Sequence, residues 1–247
     1  RWRRDRGRRP RAWSWRVITF ESVVKRYRNG REALLNVSLH VAPGEMVFLT
    51  GRSGAGKSTI LKLIALLERP TRGRVLVGGA DTAKLPARQV PAFRRRVGVV
   101  FQDHRLLVDR PVFDNVALPL IVADSSLKEI DKRVRAALDQ VGLLGSERML
   151  PAELSVGEQQ RVGIARAIIS RPPILIADEP TGNLDPLRAS EVMALFRRLN
   201  EVGVTVVVAT HDLHLVRESG LRSIVIEGGR IAGAEPSGTL PVMEARR

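Results

Sequence analysis

The stretch GRSGAGKST, from Gly51 to Thr59, fits the spacing G-x-x-x-x-G-K-[ST]. Such a loop lets successive backbone N–H groups turn inward on anionic oxygens, and a following helix adds partial positive charge at its N-terminus. In this reading Gly51, Ser53, Gly54, Ala55 and Gly56 form a cradle for the phosphates of a nucleotide. Lys57 reaches the β- and γ-phosphates, Ser58 ligates Mg²⁺, and Thr59 holds the α-phosphate. A second group of residues lies at the ends of apolar runs. ILIADEP, at 174–180, ends in two acids. Asp178 is expected to orient Mg²⁺ and Glu179 to accept the proton of an attacking water. Neighbours on a strand point to opposite faces, so the two acids are expected to divide the work. His211 follows VTVVVAT and Gln102 follows VGVVF in the same way. Beside a γ-phosphate, His211 can hydrogen-bond the phosphate and the water. Tyr27, the only tyrosine, lies 24 residues before Gly51 and can stack on an adenine ring.

LSVGEQQ, at 154–160, has the look of a phosphate-sensing loop with one residue out of place. Ser155 and Glu158 match a capping box, so a helix is expected to begin there with its first N–H groups exposed. Gly157 keeps room for close approach of a phosphate, while Val156 adds a branched side chain. The backbone of Val156 is expected in the ordinary extended region beside the cap, where valine costs little, leaving the loop weakened but not inactive. Gln159, Gln160 and Arg161 are expected on a solvated helix face.

These residues need elements to hold them. Runs at 17–23 and 37–45 alternate as half-buried strands do. Mainly apolar runs at 46–50, 97–101, 174–178 and 204–210 suit strands buried on both faces. Residues 58–68 have helical spacing and stop near Pro70, and 74–79 reads as a strand and turn. Residues 223–233 form a hairpin about Gly228 and Gly229. Residues 103–165 contain helical patterns at 127–144 and 157–170 and no buried strand, so they are read as a helical subdomain. The expected fold class is α/β, with a mainly parallel sheet, a small antiparallel β subdomain near the start, and that helical portion.

Composition bounds the alternatives. The chain has 247 residues, 44% of them apolar, enough for a large core. With no cysteine there are no disulfides and no thiolate metal sites. No apolar run approaches membrane-span length, and no apolar segment of the secretory kind follows the basic start, so work at a membrane is expected to need a partner. The formal charge is +15. Residues 1–16 hold eight arginines and one aspartate and are read as a flexible basic extension; residues 234–247 are read as a tail. Charge of this sign suits an anionic lipid surface or nucleic acid.

Taken in order, GRSGAGKST, Gln102, LSVGEQQ, ADEP and His211 resemble the nucleotide-binding subunits of ABC transporters, over about 17–233. The resemblance implies a P-loop NTPase fold and ATP hydrolysis with Mg²⁺. It also implies a head-to-tail homodimer that sandwiches two ATP molecules. In that arrangement Ser155 and Gly157 contact the γ-phosphate bound by the other subunit. Asp185, in GNLD at 182–185, belongs to the loop that links the two sites. Gln102 corresponds to the family's Q-loop glutamine, a Mg²⁺ ligand and catalytic residue, Tyr27 to its adenine-stacking aromatic, and His211 to its switch histidine. FQDHRLL, DNVALPL and GEQQRVGIARAI are most similar to the cell-division branch, with the Asp103–His104 step as the main reason. That branch implies an integral membrane subunit as partner, a peripheral place at the bacterial inner membrane, and activation of cell-wall hydrolases. Lipoprotein-releasing and macrolide-export ATPases are the near alternative. Nucleic acid is not the expected partner, because ABC ATPases of that kind usually carry a long coiled-coil insertion or a second cassette, and neither shows here.

Overall fold

The computed structural model describes residues 17–182 and 184–235. The basic extension 1–16 and most of the tail lie outside those residues. Ten strands and seven α-helices occur among the described residues: β1 Ile18–Arg26, β2 Glu32–Val41, β3 Met46–Thr50, α1 Lys57–Ile64, β4 Arg72–Val77, β5 Ala80–Asp81, α2 Val90–Arg94, β6 Val97–Val100, α3 Val112–Val122, α4 Leu127–Gln140, α5 Val156–Ile168, β7 Ile174–Asp178, α6 Pro186–Glu201, β8 Thr205–Ala209, α7 Leu213–Ser219, β9 Ser223–Glu227 and β10 Arg230–Glu235.

Two sheets result. A six-stranded sheet has the order β10-β9-β3-β8-β7-β6 and is parallel except for the edge strand β10. A four-stranded antiparallel sheet has the order β2-β1-β4-β5. The apolar runs become the central parallel strands because both of their faces are covered. Met46 and Phe48 of β3, Leu175 and Ala177 of β7, and Val206 and Val208 of β8 enter one core, shared with α3, α4, α5 and α6. Their neighbours Val47, Leu49, Ile174, Ile176, Val207 and Ala209 enter the other core, which the antiparallel sheet and α1 close.

Some boundaries differ from expectation. Helix α1 stops at Ile64, short of Pro70, because Leu66 turns left-handed at φ 52° and the N–H groups of Leu67 and Glu68 both return to the Lys62 carbonyl. Helix α3 was not read from the sequence, and Pro119 within it is a residue that ordinarily argues against a helix. Helix α5, expected over 157–170, spans Val156–Ile168. The turn at Gly228 and Gly229 forms as expected, at φ 51° and 76°.

Candidate functional site

The loop between β3 and α1 needs glycine at two positions above all. A Cβ on Gly51, at φ 142°, would lie 2.1 Å from the Ile226 carbonyl oxygen. One on Gly56, at φ 118°, would lie 2.8 Å from both the Ala33 carbonyl oxygen and Leu34 Cδ2. Gly56 is also the N-cap of α1, with no side-chain cap and no acid in the first turn. The first N–H groups of the helix are therefore left for an anion. Lys57 is buried and folds back across the loop, donating to the Gly51 carbonyl at 2.7 Å and lying 3.7 Å from Glu179 Oε1.

The loop opens on a cleft of about 1180 Å³ that Tyr27, Ser53, Gly54, Ala55, Ser58 and Thr59 also line. Gln102, Asp178, Glu179 and His211, from the ends of β6, β7 and β8, reach the same cleft. Parallel strands place their C-terminal ends on one side, which is why residues more than a hundred positions apart converge. Tyr27 is half-buried, its hydroxyl 3.3 Å from Thr59 Oγ1 and Lys25 Nζ 5.0 Å from the centre of its ring.

The two acids differ in surroundings. Burial pushes the Asp178 carboxyl above its ordinary pKa, with a hydrogen bond from Ser58 acting the other way. Asp178 Oδ1 is buried with no hydrogen-bond partner. A buried orphan carboxylate oxygen beside a serine hydroxyl is a hard-oxygen donor set that suits a small divalent cation sharing the site with phosphates. Glu179 leaves the strand in a left-handed turn, at φ 48°. Strand alternation therefore does not separate the acids as expected: the turn brings Glu179 back into the cleft that Asp178 lines. Its N–H is held by the Ala209 carbonyl at 2.9 Å, and Oε1 lies 2.9 Å from His211 Nδ1.

Ser155, Gly157 and Asp185 do not line this cleft. Ser155 caps α5, and the capping box with Glu158 is complete. Val156 is the first residue of α5, half exposed, so it is helical and not extended as expected; its φ is not positive and no strain arises. Gly157 faces Leu184, whose Cδ2 would stand 3.0 Å from an added Cβ. Asp185 caps α6 by accepting from the Arg188 N–H at 3.0 Å. A few residues of chain thus join Glu179 in the cleft to the contact with Gly157 outside it; Asn183, within that stretch, lies outside the described residues. The solvated face expected at 159–161 is a correction: Gln160 is buried at 3% exposure, Gln159 donates to the Pro151 and Leu154 carbonyls, and Arg161 donates to the Val141 carbonyl. They close α5 onto its neighbours.

Other residues at the site escaped the sequence reading. Lys62 lines the cleft four residues after Ser58, a helical spacing that marks it in hindsight. Asn115 is fully buried and ties the segment after Gln102 to α3, accepting from the Leu107 N–H at 2.7 Å and donating to the carbonyls of Leu107, Arg110 and Pro111. Arg166 of α5 holds the same segment through the carbonyls of His104 and Arg105, both left-handed residues.

A glycine cradle, a buried lysine and strand-end carboxylates on this sheet order define a nucleotide-binding ATPase cassette. Residues 34–182 match the ABC transporter family, and the chain belongs to that family. It is 52% identical to the cell division ATP-binding protein FtsE of Escherichia coli strain K12, over 88% of this chain and 98% of that protein. It is 46% identical to FtsE of Bacillus subtilis strain 168, over 90% and 97% respectively. Among solved structures it is similar to the dimeric ABC transporter cassette MJ0796, with a TM-score of 0.84 and 38% identity over 90% of this chain and all of that one. The same cassette in a post-hydrolysis state bound to ADP and Pi gives 0.84 and 37%.

Proposed function

We propose that this chain is the ATP-binding and ATP-hydrolysing subunit of an FtsEX-like ABC complex. In this reading, ATP closes a head-to-tail homodimer and drives a membrane subunit resembling FtsX, in cell division and in activation of cell-wall hydrolases. The ABC domain spans 17–233, with its helical subdomain at about 103–165. The subunit sits at the cytoplasmic face of the bacterial inner membrane through that partner; no described helix is long and apolar enough to cross a membrane. The observation that carries the reading is the convergence of Lys57, Ser58, Gln102, Asp178, Glu179 and His211 on one phosphate cradle. Ser155 stays outside it at a helix N-terminus, where a second copy can use it. The lipoprotein-releasing and macrolide-export alternative is not favoured, since the named relatives are cell-division proteins.

Within this reading each residue takes a role suited to its position. Tyr27 stacks on the adenine. The cradle N–H groups from Gly51 to Gly56, with Thr59, bind the phosphates, and Lys57 exchanges its loop carbonyls for the β- and γ-phosphates. Ser58, Gln102 and Asp178 would hold Mg²⁺, which when bound neutralises charge on the transferring phosphoryl group. Glu179 takes a proton from the attacking water as the water oxygen bonds to the γ-phosphorus and the bond to the bridging oxygen breaks, leaving ADP and phosphate. His211, 2.9 Å from Glu179, holds that carboxylate and contacts the γ-phosphate. Ser155 and Gly157 of the other subunit complete the site, and Asp185 sits in the segment that joins one site to the next.

Glu179→Gln tests this. Steady-state phosphate release should fall by about 10²–10⁴-fold, while ATP binding persists and the protein sediments as a dimer. A normal hydrolysis rate would remove Glu179 as the base. Lys57→Ala should lose nucleotide binding or turnover, and normal ATPase activity there would overturn the cradle.

A further inference from the structure

The capping box on α5 has a consequence for Ser155. Both of its donors are committed to one oxygen: the Ser155 N–H reaches Glu158 Oε2 at 2.9 Å, and its hydroxyl donates to the same Oε2 at 2.7 Å. The hydroxyl also accepts from the Glu158 N–H at 3.3 Å. A serine with its single hydroxyl proton on a carboxylate cannot offer that proton to a phosphate. The first-turn N–H groups of Val156 and Gly157 have no partner within the helix and stay available. One turn further along α5, Arg161 Nε is buried with no hydrogen-bond partner, while its Nη1 is anchored on the Val141 carbonyl at 3.0 Å. Glu158 and Arg161 stand three residues apart on one helix, a spacing at which side chains meet. Arg188, paired with Asp185 at 3.2 Å, is the other guanidinium whose charge acts on Glu158.

We propose that Glu158 is a two-position positioning residue: in the open subunit it holds the proton of Ser155, and on dimer closure it releases Ser155 to the partner's γ-phosphate and turns to Arg161 Nε. This rests on the reading that Ser155 meets ATP bound by a second copy. Glu158 then acts as a brake on closure. Its negative charge stands beside an incoming polyanion, and the serine hydroxyl gains the phosphate only by giving up a charge-assisted hydrogen bond. Glutamine at 158 keeps an acceptor for the cap while removing the charge and weakening the hold on the serine proton.

The test is a double-mutant cycle in the full chain carrying Glu179→Gln, reading by sedimentation the ATP concentration that gives half-maximal dimer. Glu158→Gln should lower that concentration by about five-fold, because a cap-only role is conserved by glutamine and gives no gain. Arg161→Met should raise it. Adding Arg161→Met to Glu158→Gln should have much less effect than in the parent, since the carboxylate that needed the guanidinium is gone. An unchanged or higher ATP requirement in Glu158→Gln overturns the proposal, as do strictly additive effects. Should Arg161→Met melt far below the parent, Glu158→Gln alone decides. If the Glu179→Gln parent forms no ATP-dependent dimer, the trans reading itself fails and takes this proposal with it. A dimer that forms but ignores Glu158→Gln sinks the proposal alone.

Discussion

Asp178 is a residue whose burial works against its charge. Its carboxyl is pushed above the ordinary range by burial, and Oδ1 has no partner. An acid with a raised folded pKa favours the folded state below its unfolded pKa of about 4, and that contribution is lost as pH rises through the folded value. In buffer without divalent cations, Asp178→Asn should therefore melt at a higher temperature than the parent near neutral pH. The gap should close as pH falls toward about 4, where both side chains are uncharged. Thermal melts across pH with a chelator present measure this. The same substitution should blunt the stabilisation by Mg²⁺ and ATP. An Asp178→Asn protein no more stable than the parent at neutral pH would remove the burial argument.

Among the elements, the segment from Gln102 to Pro111 shows how a site residue is held without regular structure. Asn115 makes hydrogen bonds to three residues of that segment, and Arg166 grips two more carbonyls from α5. Both anchors belong to helices of the 103–168 region, not to the parallel sheet. The residues that follow Gln102 are thereby tied to those helices. Asn115→Ala takes the side-chain partner from the Leu107 N–H and the Arg110 carbonyl, while the Leu107 and Pro111 carbonyls keep backbone donors; it should cost about 2–4 kcal/mol, which lowers Tm by several degrees. It should also speed proteolysis after Arg105 or Arg110. An unchanged Tm would mean that backbone contacts alone hold the segment.

For the whole molecule, a head-to-tail dimer makes a numerical demand. In the proposed head-to-tail dimer, Lys57 and Ser155 serve one site only when they come from different copies. A Lys57→Ala protein and a Ser155→Arg protein should each be inactive alone. Mixed in equal amounts they form heterodimers in which one of two sites has an intact cradle and an intact LSVGEQQ loop. Activity should return to about a quarter of the wild-type rate, given random pairing. No recovery on mixing would exclude sites shared between copies. Ser155 does not line its own chain's cleft but caps α5, which is the structural basis of the prediction.

Much of this was legible without coordinates because it depends on neighbours in sequence. The cradle needs consecutive residues of one loop, the capping box needs Ser155 and Glu158 three apart, and the buried strands announce themselves as apolar runs. Other features depend on which faces meet, and no local pattern encodes that. Gln160 reads as a solvated polar residue yet is buried; Glu179 looks like the next residue of a strand yet turns left-handed into the cleft. Asn115 looks like any polar residue of DNVALPL, and only the path of residues 107–111 around α3 gives it acceptors. The candidate chemistry was already readable in the sequence, since side-chain types at fixed short spacings point to phosphate, cation and water. The tertiary structure decided the geometry: which acid keeps an orphan oxygen, which helices hold the residues after Gln102, and that Ser155 lies outside its own chain's cleft. Those outcomes follow from the packing of distant elements, whose energies depend on contacts between residues far apart in the chain.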